Sequence, residues 1–344
     1  MKYVIKKYSR DDKEEWDAFV ETSRNGTFLF ERDYMDYHSD RFADNSLMAY
    51  KGNRLVALLP ANIDSERVMH SHQGLTYGGW ILPLAHIDGG DILEIFQDAI
   101  EFMKMEGVRG LDYKPVPFIY AGRPSEEDIY ALFRLGAQIS EVNISSAINL
   151  RGPIIYNKLR KRSLKKALEK NITIEEILDC NEFMSLVSEC LRERHHTVPV
   201  HTAGEIKYLQ KCFPKNIRMF GVRICDKEDK ERIERGDRVE EKEVRVGIEE
   251  AGCSHLHAGV MIYDTGRVAH AQYIASSVLG RELNLLTPLF DYLIKERYRD
   301  REYFDFGISN EDHGLYLNAG LLRQKFSYGA TGVSYCRYYL NFIK

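Results

Sequence analysis

The order of strand-like and helix-like segments constrains the fold of this chain more than any single motif. In the first half, a strand-like segment at 3–9 is followed by Trp16, Phe19 and Val20 at helical spacing. An alternating pattern at 46–64 predicts a β-hairpin, and a long amphipathic segment predicts a helix that ends at Gly107. Strands interleaved with helices predict an α/β (α+β) domain.

The second half repeats this plan, although no stretch of sequence recurs at a fixed period. The patterns predict helices at 181–195, 202–213 and 283–300, and strands at 217–226, 253–277, 303–309 and 331–343. A chain of 344 residues is long enough for about two domains. We therefore expect two domains of similar topology, at 1–152 and 153–344.

Bulk composition excludes several classes of protein. The net charge of −4 creates no field that would recruit DNA, and no apolar run is long enough to span a membrane. The six cysteines form no C-x-x-C pair, so we expect reduced thiols and no structural metal. We see no signal peptide and expect a cytoplasmic protein; the sequence leaves the oligomeric state open.

Two stretches are dense in charge. Residues 157–170 carry seven basic residues and one acid at helical spacing, which fits either a solvated surface helix or a helix that binds phosphate. Residues 226–250 carry 18 charges of both signs. This second stretch has almost no apolar partners, so we expect an exposed insertion in a hairpin.

A glycine-rich cluster, "HSHQGLTYGGW" at 70–80, interrupts a strand-like run in the first half. Glycines within a strand indicate either a bulge or the close approach of a ligand to the backbone. On the second interpretation, the polar side chains of this cluster contact the substrate.

A second polar cluster, "RERHHTVPVHT" at 192–202, contains three histidines. A zinc site on one helix would need histidines at i and i+4, and Pro199 rules out a continuous helix here. The cluster therefore favours a polar loop that contacts the substrate rather than a metal site.

A third cluster combines "VAHAQYIASS" with the strand "FDFGIS". Alternation places His270 and Gln272 on one face of their strand, and Asp305 lies on the next predicted strand. Such a histidine is either a hydrogen-bonded core residue or part of an active site.

Taken together, the clusters resemble the Fem-type branch of the GNAT acyltransferase superfamily. The resemblance covers nearly the whole chain through "SHQGLTYGGW", "RKRSLKKAL", "VPVHTAGEI", "AHAQYIASS" and "FDFGISNEDHGLYLNAGLLRQKFSYGA". It implies two tandem GNAT-like domains, each a mixed, mostly antiparallel sheet flanked by helices. At the position of the GNAT pyrophosphate loop the chain has "VLGREL", in which Gly280 and Arg281 match.

The resemblance implies transfer of an acyl or aminoacyl group from a thioester or ester donor to an amine. Lys325 matches the late lysine of Fem-type enzymes, so we expect it to stabilise the oxyanion, with Asp305 and His270 removing a proton from the amine. The expected substrate-binding residues are His72, Gln73, Tyr77, His201, Gln272, Tyr273, Asn310, Glu311 and Asn318, and the expected phosphate ligands are Arg160, Arg162, Lys166 and Arg281.

We expect no tightly bound cofactor. Acyl-CoA or aminoacyl-tRNA would act as a co-substrate, and the acceptor would be a small molecule or a cell-envelope sugar or peptide precursor. The alternative is a non-catalytic ligand-binding protein on a degenerate GNAT scaffold, because a fold does not fix a function.

Overall fold

The computed structural model describes residues 2–225, 245–246 and 253–343. The strands are β1 Val4–Lys7, β2 Ala43–Asp44, β3 Leu47–Lys51, β4 Arg54–Leu59, β5 Asn62–Ile63, β6 Val68–His70, β7 Gly110–Tyr113, β8 Gln138–Asn149, β9 Ile172–Ile177, β10 Ile217–Cys225, β11 Arg245–Val246, β12 Cys253–Asp264, β13 Val268–Ser276, β14 Tyr303–Ile308, β15 Asn310–Glu311, β16 Tyr316–Leu317 and β17 Thr331–Asn341.

The helices lie between groups of these strands along the chain. They are α1 Lys13–Thr22, α2 Arg32–Met35, α3 Gly89–Met105, α4 Glu127–Arg134, α5 Lys158–Leu168, α6 Cys180–His195, α7 Ala203–Cys212, α8 Val278–Glu282, α9 Leu286–Tyr292 and α10 Ala319–Phe326. Short 3₁₀ turns lie at Arg10–Asp12, Phe28–Phe30, Asp36–His38 and Asp312–Gly314, and a π-helical turn lies at Leu293–Arg297.

The structure divides into two compact units. The first unit contains Met1–Ser145, Ile308–Asn318 and Gly332–Lys344, and the second contains Ser146–Gly307 and Ala319–Thr331. The units are therefore not continuous in sequence, whereas the predicted domains at 1–152 and 153–344 are. The predicted charged insertion at 226–250 lies, apart from 245–246, outside the described residues.

Within the first unit, most strand pairs are antiparallel. One sheet has the order β1-β3-β4, and a second set of strands pairs in the order β2-β5-β6-β7-β17, in which only β6 and β7 are parallel. Helix α3 is amphipathic and begins at Asp88, whose side chain accepts hydrogen bonds from the backbone N–H groups of Gly90 and Asp91. Its apolar face, including Ile92, joins the core of this unit.

In the second unit, too, most strand pairs are antiparallel. Strands β9, β10, β12 and β13 pair in that order and are antiparallel, whereas β13 and β14 are parallel. The core of this unit contains Phe290, Phe304, Phe306 and Tyr328, whose rings pack against one another. A second, short parallel pair in this unit joins β11 to β9.

Two helical segments are short or divided in the structure. The segment at 30–42 forms only α2 and one 3₁₀ turn, because the buried guanidinium of Arg32 turns inward to the carboxylates of Asp36 and Asp44. The segment at 283–300 is divided into α9 and a π-helical turn. Within the described residues, no helix combines the length and apolar character that crossing a bilayer requires.

Candidate active site

A histidine and an aspartate face each other across the parallel strands β13 and β14. His270 is paired in register with Asp305, and its Nδ1 lies 2.8 Å from Asp305 Oδ2. Asp305 is fully buried, with 0% exposure, and its Oδ1 accepts a second hydrogen bond from the backbone N–H of Gly307 at 3.1 Å. The pairing agrees with the prediction that Asp305 lies on the strand next to that of His270, whereas a register shift at Gln272 interrupts the predicted alternation.

Gly307 ends the regular part of β14 and exposes its carbonyl to a third side chain. Its φ of +75° lies in the left-handed region, which glycine adopts without strain. Nζ of Lys325 donates a hydrogen bond to the Gly307 carbonyl oxygen at 2.8 Å. Gly307 and Lys325 thus link β14 to helix α10 beside the His270–Asp305 pair, which we call the dyad.

Lys325 is buried, with 5% exposure, on a helix of only eight residues. Burial lowers its pKa to about 8, against the opposing effect of the Asp305 charge. Its ammonium therefore lies within the second unit, near the carboxylate of Asp305. Lys325, Asp305 and His270 therefore form one buried cluster in the second unit.

Two of the predicted substrate-binding residues also contact each other in the second unit. His201 is buried, and its Nδ1 lies 2.7 Å from the hydroxyl of Tyr273 on β13. Burial raises the pKa of Tyr273, so its hydroxyl stays protonated at neutral pH. Gln272 is half-buried beside Tyr273 on the same strand.

The predicted phosphate ligands occupy different settings. The Arg160 guanidinium donates to Ser327 Oγ and Thr287 Oγ1 and lies 4.1 Å from the centre of the Tyr328 ring. Arg281 donates to the Ser276 carbonyl at 2.7 Å and to Glu193 at 3.1 Å. Both arginines therefore anchor neighbouring segments, whereas Arg162 and Lys166 lie exposed on α5.

The remaining predicted substrate-binding residues lie in the first unit, and three of them belong to its glycine-rich cluster. His72 is buried at a φ of +67°, its Nδ1 accepts from the Gly74 N–H, and burial lowers its pKa well below the usual value. Gln73 exchanges two hydrogen bonds with Asn62. Tyr77 is buried and donates to Thr27 Oγ1 at 3.2 Å.

The polar loop after β14 is held by its own side chains. Asn310 Oδ1 accepts from the Ile144 N–H at 2.6 Å, and its Nδ2 donates to the Gly314 carbonyl. Asn318 donates to Glu311 at 3.2 Å. These contacts stabilise the loop, and the substrate-binding role of Asn310, Glu311 and Asn318 stays a prediction.

The first unit contains a second histidine–aspartate pair that the sequence analysis did not identify. His70 on β6 is paired in register with Asp112 on the parallel strand β7, with Nδ1 2.9 Å from Asp112 Oδ2. In both units the pair is the third residue pair of the parallel ladder. The similarity of "VMHSH" at 68–72 to "VAHAQ" at 268–272 was a signal for it.

The first-unit pair has a further partner. His70 Nε2 lies 2.8 Å from Asp64 Oδ2, so the imidazole is held between two carboxylates. Burial disfavours the imidazolium, but the hydrogen bonds to Asp112 and Asp64 outweigh this effect and raise the His70 pKa above 6.5. Because both ring nitrogens are held, His70 links β6 to β7 and to the segment that contains Asp64.

This arrangement predicts a pH-dependent stability of the first unit. Because the His70 pKa is raised by folding, its contribution is fully present below pH 6.5 and is lost as pH rises through the raised pKa. We expect His70→Gln to lower the free energy of unfolding by about 1–3 kcal/mol at pH 6, and by less at pH 9.

Tryptophan fluorescence during urea unfolding measures this effect, because both tryptophans, Trp16 and Trp80, are buried in the first unit. An equal loss of stability at pH 6 and pH 9 would mean that His70 acts without its charge.

Comparison with known proteins rests on structure alone. No family model matches the chain, and no curated protein matches its sequence. The structure superposes on that of FemX with a TM-score of 0.65 and 12% identity, covering 97% of this chain and 96% of FemX. The chain has the Fem-type tandem GNAT fold.

Two further structures share this Fem-type fold. L-PGS from Bacillus licheniformis superposes with a TM-score of 0.59 and 13% identity, covering 98% of this chain and 94% of L-PGS. A tandem GNAT protein from the clavulanic acid biosynthesis pathway gives a TM-score of 0.53 and 11% identity, covering 98% of each chain. The predicted fold class is thus confirmed, and at these identities the comparison concerns the fold.

Proposed function

We propose that this chain is an acyltransferase that moves an acyl or aminoacyl group from a thioester or ester donor to an amine. The observation that carries this proposal is the buried His270–Asp305 pair beside the buried ammonium of Lys325. The Fem-type fold, which is an acyltransferase fold, supports the same class of reaction.

The histidine–aspartate pair supplies the base. The acceptor nitrogen attacks the donor carbonyl carbon and must lose a proton as the C–N bond forms. Asp305 accepts the Nδ1–H of His270, so Nε2 is the basic ring nitrogen, and we assign it as the acceptor of that proton. The C–S or C–O bond of the donor then breaks, and the leaving group takes a proton.

Lys325 supplies positive charge where negative charge develops. As the amine adds, the carbonyl oxygen becomes an oxyanion. A buried ammonium stabilises this oxyanion more than an exposed ammonium does. The Lys325 pKa of about 8 keeps most of the side chain protonated at pH 7. Its hydrogen bond to the Gly307 carbonyl holds the ammonium beside the dyad.

The donor and acceptor belong to the same proposal. Acyl-CoA and aminoacyl-tRNA both carry phosphates, and the exposed Arg162 and Lys166 would pair with them. The acceptor would be a small molecule or a cell-envelope precursor with a free amine, modified in the cytoplasm. The side chains of His201, Gln272 and Tyr273 in the second unit are suited to hydrogen-bond such polar substrates.

A thermal-shift screen tests this proposal first. A ligand that binds the native state at 100 times its Kd stabilises it by about 2.7 kcal/mol, so the true donor should raise the Tm of the full chain. Acetyl-CoA, longer acyl-CoAs and an aminoacyl-tRNA pool form one arm, and free CoA and deacylated tRNA form the other. A failure of all these donors to stabilise the protein would contradict the proposal.

Donor binding without product would instead support the non-catalytic alternative. In that case the chain would bind the donor but form no amide with any amine in a mixture of sugars, peptides and amino acids. The two results distinguish a transferase from a binding protein on the same scaffold.

A further inference from the structure

A cavity of about 310 Å³ lies in the second unit, away from the contacts of the dyad. Its walls come from the segment before α5, from α5 itself and from the π-helical turn after α9. It is lined by Ile154, Tyr156, Lys161, Leu164, Lys165, Leu168 and Lys295. Its volume is at the lower end of the range for small-molecule sites, roughly 300–1,000 Å³.

The floor of the cavity is apolar and firmly placed. Tyr156 belongs to the buried core of the second unit, and Ile154 and Leu164 pack against that core. The Tyr156 ring packs edge-to-face on Tyr328 at 5.5 Å. Leu168, at 43% exposure, closes one side with an apolar surface that water contacts. An apolar group would therefore gain by entering this floor.

The rim of the cavity is positive. Lys161 and Lys165 are exposed one helical turn apart on α5, and in the described part of the chain no ion pair joins either to a carboxylate. Lys295 lies 4.5 Å from the centre of the Tyr156 ring and pairs with Asp291. The three ammonium groups and the one carboxylate give the rim a net charge of +2. Lys161 and Lys165 also repel each other, because they are like charges at i and i+4 of one helix.

We propose that this cavity binds an amphiphilic phosphomonoester, with its apolar group on the floor and its phosphate at the three lysines. A phosphomonoester carries a charge of about −1.5 to −2 at pH 7, which matches the rim. Its three oxygens offer one acceptor to each lysine. This site lies on a different face of α5 from Arg162 and Lys166 and does not depend on acyl transfer.

Titration calorimetry with n-octyl phosphate, below its micelle concentration, tests the site in the full chain. We expect saturable 1:1 binding at least tenfold tighter than that of inorganic phosphate or octanol alone, and weaker at high salt. Binding no tighter than that of either fragment would overturn the proposal, because it requires the floor and the rim together.

Paired variants localise the binding. Lys161→Ala/Lys165→Ala should weaken octyl phosphate binding at least tenfold, whereas the matched double variant Arg162→Ala/Lys166→Ala, with the same charge change on the same helix, should change it less than threefold. Equal losses in the two double variants would overturn the assignment, since they would indicate a general attraction to a basic helix.

Vesicles distinguish the source of the ligand. If phosphatidate in phosphatidylcholine vesicles recruits the wild-type chain but not the Lys161→Ala/Lys165→Ala variant, the site takes a lipid. If only the soluble octyl phosphate binds, the site takes a free alkyl or aryl phosphate. If the vesicles recruit the wild type and the variant equally strongly, the result would contradict the site.

Discussion

Lys325→Met is expected to slow the chemical step by about 10²–10³-fold, the usual cost of removing one donor to a developing oxyanion. Methionine has nearly the shape of lysine without its charge, so the core around α10 stays filled. The change also removes an ammonium from a site where only 5% of the residue is exposed, so we expect little loss of stability.

Single-turnover rates measure this effect once the donor is known. In the wild type, the rate should fall as pH rises through about 8, because Lys325 then loses its proton. Lys325→Arg, which cannot lose its proton in this range, should lack that decline in whatever activity it retains.

A matched control is available in the first unit. Nζ of Lys114 donates to the Leu75 carbonyl at 2.6 Å, and burial lowers its pKa to about 8 as well. Lys114→Met should therefore report the cost of removing a half-buried lysine, with the single-turnover rate within about threefold of wild type, well below the loss expected at Lys325. Equal losses in Lys325→Met and Lys114→Met would remove Lys325 from the mechanism.

Asp305→Asn is expected to lower the single-turnover rate by about 10²–10⁴-fold, the contribution of a positioned general base. The asparagine amide can present an N–H to His270 Nδ1, which favours the tautomer with its proton on Nε2. That tautomer cannot accept a proton from the amine. His270→Gln should have an effect of similar size.

The double variant separates a functional pair from two independent residues. If His270 and Asp305 act as one unit, the double variant Asp305→Asn/His270→Gln should lose no more rate than the more damaging single variant. Asp112→Asn, which alters the corresponding pair in the first unit, is the control. Losses that multiply in the double variant would argue against a shared role.

The alternation of polar and apolar residues predicted part of this site. The strand patterns placed His270 and Gln272 on one face of a strand and Asp305 on the next strand, and the parallel register of β13 and β14 brings His270 and Asp305 together. The same reasoning applied to "VMHSH" and "GLDY" would have found His70 and Asp112. The glycines that follow in the first half interrupt the strand pattern next to His70.

The position of Lys325 could not be predicted in the same way. Helix α10 has eight residues and a glycine in its first turn, and such a short segment has little periodicity to read. A lysine is seldom fully buried, so its burial depends on the long-range contact with Gly307 and on the ring cluster around Tyr328. Packing between segments, rather than local propensity, determines this part of the site.

The different surroundings of the basic residues on α5 could also not be predicted from the sequence. Seven basic residues at 157–170 predicted either a solvated surface helix or a phosphate-binding helix. In the structure, Arg160 turns inward to Ser327 and Thr287, while Lys161 and Lys165 border a cavity. Which lysine faces which neighbour depends on how α5 packs against α9, and composition does not contain that information.

Amide formation from a labelled donor tests the central claim most directly. The wild-type chain and Asp305→Asn are mixed with the donor that stabilises the protein, carrying an isotope in its acyl group, and with a set of amines. Mass spectrometry then measures the labelled amide after a single turnover. We expect labelled amide from the wild type and at least 100-fold less from Asp305→Asn. No labelled amide from the wild type, or equal amounts from both proteins, would contradict an acyltransferase that uses the His270–Asp305 pair.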